Sequence, residues 1–469
     1  MYRSGALILL LSLASHAWCA EGGYSTAAID RFLRSEMRRQ QIPGISLAVV
    51  KNGEPLYVKT YGVATLEHAV PVTPQTVFQI GSIGKQFTAV AVMLLADAHK
   101  LDLDDQLSKF LPELPPSWGS VTLRLMLNHQ SGIPQFTTPE RQLLDTVHDY
   151  TDSELIRLAA SLPLDFEPGT DAAYSDTGYV LLGFVINRAA GMFYGDFLRQ
   201  RIFAPLGMSR TRIISDKDIV PDRAAGYEQA KDGTLYNQSY VSPALNRTAD
   251  GSLYSTVLDL IKWDRALYGG SVLPQVELER MWRIDPHRNS QRPLYHFGYG
   301  WENNSLRGHR LIEYDGNWQG FQAVMSRYVD KKLTVILLTN LSLCRTERLG
   351  HMVAGLIDPD LKPYSESIPD SHPEKTAQFA AFLDNVAGDG DFAQWLSPAA
   401  RARLMPAALR TLRRDLRERG PILKVAVVDQ PSGSGARVYR AEEKDMVEFY
   451  AVSYSPDSRI DDIDLFSEY

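Results

Sequence analysis

The chain has 469 residues, enough for two or three domains at about 150 residues each. It is 44% apolar and 22% charged, which excludes a mainly disordered, collagen-like or coiled-coil chain. A net charge of −7 lacks the basic footprint that nucleic acid demands, and two cysteines, Cys19 and Cys344, cannot build a disulfide scaffold or a four-cysteine zinc site.

Arg3 forms a short basic start, and 6–14 is apolar apart from Ser12. That run is shorter than the roughly 20 residues that span a bilayer. Small residues follow at Ala17, Cys19 and Ala20, so 1–20 reads as a cleavable secretory signal, with an uncleaved anchor as the alternative. The protein is expected to be exported, to the periplasm or beyond the cell. Cleavage after Cys19 or Ala20 leaves one thiol, Cys344.

Apolar residues at helical spacing (Ile29, Phe32, Leu33, Met37) predict a helix over 27–39, stopped by Pro43-Gly44. Two β-rich runs, 45–50 and 56–61, flank Asn52-Gly53, a hairpin signal. A β-rich run at 77–80 precedes a strongly apolar helix over 85–97, and 333–338 is another strand. About 230 residues of mostly helix and loop lie between. Strands at both ends around a helical middle imply one sheet whose edges come from distant sequence.

Composition shifts after Ile357, which divides the chain into 1–20, a main region 21–357, a linker 358–374 and an appendage 375–469. The linker carries Pro359, Pro363, Pro369 and Pro373. The appendage reads as a small α+β module, with helices over 377–386 and 406–419 and strands over 422–428, 437–440 and 447–454. Leu409, Leu412 and Leu416 share one face of the second helix, with five arginines around them. Those arginines are either a solvated face or a contact for an anionic partner such as a cell-wall polymer or membrane surface.

The chemistry begins at Gly81-Ser82-Ile83-Gly84-Lys85, where a β-rich run meets a helix. A serine hydroxyl is a weak nucleophile and needs a base. Residues three apart share a helix face, so Lys85 falls beside Ser82, where a lysine drawn out of water can take a proton. The helix N-terminus offers free N–H groups to an oxyanion. Alternatively, Ser82 merely caps the helix. Further on, Tyr174-Ser175-Asp176-Thr177-Gly178-Tyr179 enters the apolar helix 180–189. A phenol at Tyr174 can shuttle protons if lysine charge lowers its pKa. Tyr314-Asp315-Gly316-Asn317-Trp318-Gln319-Gly320-Phe321 precedes a strand-like run, and its glycines allow substrate near the backbone.

Together these motifs resemble the serine β-lactamase and penicillin-binding-protein superfamily, in its class C-like branch of esterases, D-amino-acid peptidases and serine hydrolases. The resemblance spans roughly 27–357 and includes Leu127-Asn128-His129-Gln130-Ser131-Gly132-Ile133-Pro134, Ala204-Pro205-Leu206-Gly207-Met208 and Gly251-Ser252-Leu253-Tyr254-Ser255-Thr256. It implies an α/β (α+β) fold, an antiparallel sheet flanked by helices plus a helical lobe, with the site in the cleft between them. It also implies Ser82 as acyl-accepting nucleophile, Lys85 as its proton partner and Tyr174 as the base of the family's Y-x-N element. Tyr314 falls at the first position of the third element, and the backbone N–H groups of Ser82 and Asn317 match the oxyanion hole, with Gly316 beside it.

Two departures stand out. Asp176 replaces the Asn of Y-x-N; an ionised carboxylate accepts but cannot donate to a substrate amide, and can instead pair with Lys85. Tyr314 stands where β-lactamases have Lys and many esterase-like relatives His, so no cation there grips a substrate carboxylate. Asp176 and Asp315 are expected to place two negative charges at the mouth of the site. A neutral ester, or an amide without a nearby carboxylate, fits best. The alternatives are a β-lactamase or peptidoglycan D,D-peptidase, and a catalytically weakened cell-wall binding protein.

No metal or cofactor is called for, since H-E-x-x-H, P-loop and G-x-S-x-G patterns are missing. His129 and His296 read as structural. Trp318, Tyr299 and Trp301 either line an apolar acyl pocket or belong to the core. The expected partners are a small-molecule or short-peptide substrate and a cell-wall contact through the appendage; oligomeric state stays open.

Overall fold

In the computed structural model the described residues are 24–469 except 139–140, 231, 285–296, 363–366, 389, 391, 399, 402–411, 414–415, 418–420, 430–435, 443–446 and 467–469. The segment 1–20 read as a secretory signal, His296 and most of the helix expected over 406–419 lie outside them. No helix among the described residues is long and apolar enough to cross a membrane.

Helix α1 (Thr26–Gln40) starts where the Ser25 side chain caps the Ala28 N–H and ends in left-handed Gln41. Strands β1 (Gly44–Lys51) and β2 (Glu54–Thr65) form the expected hairpin. Asn52 and Gly53 both have positive φ, the conformation that a two-residue type I′ turn requires. The short β3 (Val70–Pro71) follows at the edge. Late in the chain come β4 (Glu302–Leu306), β5 (His309–Trp318), β6 (Phe321–Tyr328) and β7 (Leu333–Thr339).

These make one antiparallel seven-stranded sheet in the order β4-β5-β6-β7-β1-β2-β3. Its edges come from distant sequence, and its seam is the central pairing of β1 with β7 (Ile45 opposite Thr339). Side chains alternate across the seam. Ile45, Leu47, Val49, Val335 and Leu337 pack beneath α1 and a late helix over Thr346–Ile357. Ala48, Val50, Ile336 and Leu338 face the helical lobe. Burial on both faces explains the near-continuous apolar runs that made these strands legible.

The lobe is organised around α2 (Gly84–Asp97), buried from Gly84 to Leu95. Against it packs α3 (Asp176–Ala190), capped by the Ser175 side chain on the Gly178 N–H and closed by left-handed Gly191. The third motif leads into a strand, β6, as expected, but its first five residues, Tyr314–Trp318, also lie in a strand, β5. Its charged residues and Gly316 disguise that strand, because Asp, Glu and Gly are depleted from β-structure.

The C-terminal residues have their own apolar cluster. A helix over Pro373–Ala387 packs Phe379, Phe382, Leu383 and Val386 with Tyr439, Tyr450 and Val452 of an antiparallel sheet. It begins at Pro373, within the stretch read as linker, because proline is tolerated in a first helical turn. The sheet runs Lys424–Asp429, Arg437–Glu442, Val447–Tyr454 and Ile460–Phe466 in sequential order. The fourth strand escapes sequence reading because three aspartates interrupt it. Of the five arginines, Arg413 and Arg417 donate to the Val386 and Ala387 carbonyls at the end of the module's helix, a structural use of charge.

Candidate active site

Ser82 sits in the 3-10 turn Gly81–Ile83, which runs straight into α2. Lys85, one turn on, is fully buried. Lys85 Nζ lies 2.9 Å from Ser82 Oγ, 2.6 Å from Tyr174 Oη, 2.6 Å from Asp176 Oδ1 and 2.6 Å from the Asp250 carbonyl oxygen. Ser82 Oγ is 2.7 Å from Tyr174 Oη, which in turn donates to Asp176 Oδ1 at 2.7 Å. No side-chain cap bond is made at the start of this helix; the Ser82 hydroxyl is turned to lysine and tyrosine instead.

The structure thus brings Ser82, Lys85, Tyr174 and Asp176 together. The Lys85–Asp176 pairing anticipated from the Asn-to-Asp departure is present as an ion pair. Asp176 remains 39% exposed at its side chain, so the site opens to solvent on its acidic side. Burial works to raise the Asp176 carboxyl. The Lys85 charge and hydrogen bonds from Lys85, Tyr174 and Gln135 outweigh burial and hold it below the ordinary aspartate value.

Tyr174 differs from expectation. Burial and then the Asp176 charge push its phenol well above the ordinary value, so it rests as a neutral phenol, not a lysine-stabilised phenolate. Asp250 adds a second carboxyl: burial and then Asp176 push it up to about 6, and its Oδ1 is buried without a hydrogen-bond partner.

The backbone around Ser82 is crowded. A Cβ added to Gly316 would lie 2.0 Å from the Ile80 carbonyl oxygen and 2.9 Å from the Ser82 nitrogen. Gly81, at φ +50, would meet the Asn317 nitrogen at 2.6 Å. The β5 backbone therefore abuts the turn that carries Ser82, so that the Ser82 and Asn317 amides lie in adjoining segments. The Asn317 side chain donates to Gln322 Oε1 at 2.6 Å.

Tyr314 is buried, with its hydroxyl 3.4 Å from His129 Nε2. Burial, and then Tyr179, Glu302 and the nearby aspartates, push its phenol far up, so the third element presents a neutral group. Asp315 does not join Asp176 at the mouth. It occupies the alternate position on β5, with Glu313, and accepts from Gln322 Nε2 at 3.1 Å. The period of two along a strand turns neighbours to opposite faces. Tyr299 and Trp301 are fully buried core residues, while half-buried Trp318 donates to Asn246 Oδ1 at 2.9 Å.

Two contributors, Gln135 and Asp250, were not anticipated, and His129, expected as a structural residue, supports the site directly. Gln135 grips Asp176 twice, donating to Oδ2 at 3.2 Å and accepting from its backbone N–H at 2.9 Å. Asp250 offers its carbonyl to Lys85. His129 reaches the site through the Tyr174 segment: its carbonyl accepts from the Ala173 N–H at 2.9 Å and its Nδ1 from the Ser175 N–H at 3.1 Å. Those partners put the ring proton on Nε2, facing Tyr314. Burial, and then Lys85, hold the imidazole down at about 3, so it is neutral. Its left-handed backbone (φ +59) was the kind of feature a loop histidine can signal.

A serine between a buried lysine and a tyrosine, under converging backbone segments, is the equipment of an acyl-transferring serine hydrolase. The beta-lactamase family model matches residues 29–348, and the chain belongs to that family. "Penicillin-binding protein 4*" of Bacillus subtilis is 30% identical over 317 residues, covering 64% of this chain and 69% of that protein. "D-aminopeptidase" of Gluconobacter oxydans is 26% identical over 352 residues, 74% of this chain; the chain spans 64% of that relative's length. Among solved structures, the D-amino acid amidase from Ochrobactrum anthropi is 28% identical with a TM-score of 0.60, covering 67% of this chain and 92% of that one. The octameric penicillin-binding protein homologue from Pyrococcus abyssi, 24% identical, shares the fold with a TM-score of 0.64 over 92% of this chain and 94% of its own.

Proposed function

We propose that the chain is an exported serine hydrolase that forms an acyl-enzyme on Ser82 and acts on an ester or an amide, as an esterase or a D-amino-acid peptidase does. The observation that carries this reading is the closed hydrogen-bonded set of Ser82, Lys85 and Tyr174. Substrate lies with its carbonyl oxygen between the Ser82 and Asn317 amides. Ser82 attacks with Lys85 and Tyr174 as proton partners, the leaving group departs, and water hydrolyses the ester. The apolar segment at 6–14 supports export.

Two features bear on substrate. A buried neutral Tyr314 replaces a cation, and the Asp176 carboxylate is open to solvent. Both disfavour a substrate carboxylate near the scissile bond. The relatives named as a D-aminopeptidase and a D-amino acid amidase support an amide bond. The relative named as a penicillin-binding protein keeps a second reading in play, a β-lactamase or D,D-peptidase.

A panel of short acyl esters, D-amino amides and a chromogenic cephalosporin, run on wild type and Ser82→Ala, tests the proposal. Turnover of esters or D-amino amides that vanishes with Ser82→Ala supports it. Ester turnover undiminished in that variant sinks it. A penicillin adduct seen by mass favours the second reading, and failure of every serine-directed probe to form an adduct favours a binding protein.

A further inference from the structure

We propose that Asp176 is the terminal acceptor of the nucleophile's proton, reached from Ser82 through Tyr174. This rests on the acyl-enzyme reading above and adds a residue to it. The directions of the hydrogen bonds carry the argument. Tyr174 has one proton, and it is donated to Asp176 Oδ1 at 2.7 Å. An ionised carboxylate only accepts. The 2.7 Å bond between Ser82 Oγ and Tyr174 Oη must then run from serine to tyrosine. The result is a one-way chain, Ser82 to Tyr174 to Asp176.

Lys85 is placed to assist this chain rather than end it. Its ion-paired ammonium has three protons. The Asp250 carbonyl and Asp176 Oδ1 can only accept, and they claim two of them. The third points between Tyr174 Oη and Ser82 Oγ. An ammonium so committed has no lone pair for a serine proton, but it stabilises charge passing through the phenol oxygen. Gln135 clamps the acceptor carboxylate from its other side. The charged and titratable groups around Asp176 are Lys85, Tyr174 and Asp250, with His129 and Tyr314 beyond them and Asp315 across the strand. The depressed Asp176 carboxyl is ionised at neutral pH, and the raised Tyr174 phenol favours transfer without a free phenolate.

In acylation Ser82 Oγ bonds to the substrate carbonyl carbon, and the carbonyl π pair moves onto its oxygen. The serine proton passes to Tyr174 Oη as the tyrosine proton passes to Asp176 Oδ1. On collapse the leaving-group bond breaks as Tyr174 Oη gives its proton directly to the leaving group and takes one back from Asp176 Oδ1, since Ser82 Oγ is now bonded to the acyl carbon. A water repeats the cycle to release the acid. Asp176 never touches substrate in these steps; it is a positioning and proton-holding residue acting through Tyr174.

The test is steady-state ester hydrolysis by the full chain across pH, for wild type, Asp176→Asn, Asp176→Glu, Tyr174→Phe and the Tyr174→Phe/Asp176→Asn double variant. Asp176→Asn should lose about 10²–10⁴-fold in kcat, the range of a lost general base, with KM changed less than about threefold. Asp176→Glu should recover part of the loss. The double variant should be no slower than the slower single variant, since both interrupt one chain. The acidic limb of the wild-type profile should vanish in Asp176→Asn. If Asp176→Asn unfolds, Tyr174→Phe decides alone: it keeps the ion pair and must lose the same limb. The assignment is overturned if Asp176→Asn turns over at near the wild-type rate, if the two losses multiply, or if Tyr174→Phe keeps the limb. Activity that survives Ser82→Ala defeats the hydrolase reading itself; a Ser82-dependent enzyme indifferent to Asp176→Asn defeats only this inference.

Discussion

His129 offers a quantitative test of how the site is held. Its ring is 1% exposed and rests against Tyr174, Tyr179 and Phe297 with centroids 4.9, 5.2 and 4.6 Å away. Burial holds its pKa at about 3, against 6.5 for the free side chain. In the unfolded chain the imidazole takes up a proton below its ordinary value, while in the folded protein it does not until about pH 3. The stability it contributes is therefore complete above 6.5 and is lost as pH falls toward 3. The slope is about 1.4 kcal/mol per pH unit, so descending from 6.5 to 4.5 costs about 3 kcal/mol.

His129→Asn removes the titrating ring while tolerating the left-handed backbone at φ +59. At pH 7 the variant should be less stable by about 1–3 kcal/mol, because the buried Ser175 N–H loses its acceptor. At pH 4.5 the gap should close or invert, since the variant escapes the penalty of the buried base. Urea unfolding at pH 7, 5.5 and 4.5 reads both terms; His351 and the carboxylates are common to both proteins and largely cancel. Stability curves that run parallel across this range would refute the reasoning, as would a His129 imidazole resonance that titrates near 6.5.

Two further outcomes follow from the same geometry. Gly316→Ala forces a methyl against the Ile80 carbonyl and the Ser82 nitrogen, both backbone, so neither can yield without moving the segments proposed to hold the oxyanion. We expect roughly 100-fold or more off kcat, and retention of activity within a few-fold would show that β5 and the Ser82 turn separate freely. Glu302 is pushed up to about 8 by burial and then by Asp315 and Glu313. Its stabilising contribution is present below the ordinary Glu value and lost as pH rises through 8, so Glu302→Gln should gain on the order of 3 kcal/mol over wild type at pH 8 and little at pH 5. A difference independent of pH in thermal or urea unfolding would contradict this.

Local sequence carried a large part of the fold and site for identifiable reasons. Asn52-Gly53 announces its hairpin because few other residue pairs adopt two positive φ angles in succession. Ser82 and Lys85 announce their meeting because three residues along a helical turn bring side chains to one face. The same local rule holds at β5, where alternation separates Tyr314 from Asp315. Other features had no local signal. Gln135 lies 41 residues from Asp176, and Asp250 lies 165 residues from Lys85; nothing in either neighbourhood marks it as a partner. The fourth strand of the C-terminal sheet is legible only once its neighbour Val447–Tyr454 stands beside it.

Asp176 shows where the boundary falls. Residue chemistry alone says that replacing an amide by a carboxylate removes a donor and adds an anion. It does not say which proton the anion will receive. That depends on the single hydroxyl proton of Tyr174 having Asp176 Oδ1 as an acceptor 2.7 Å away, and on Lys85 already being committed to a backbone carbonyl. A substitution that reads in sequence as weakened substrate binding thus becomes, in three dimensions, a relocation of the base. The two readings diverge at one variant: Asp176→Asn should improve recognition of an acyl-amide substrate under the first, and should slow every acyl transfer under the second.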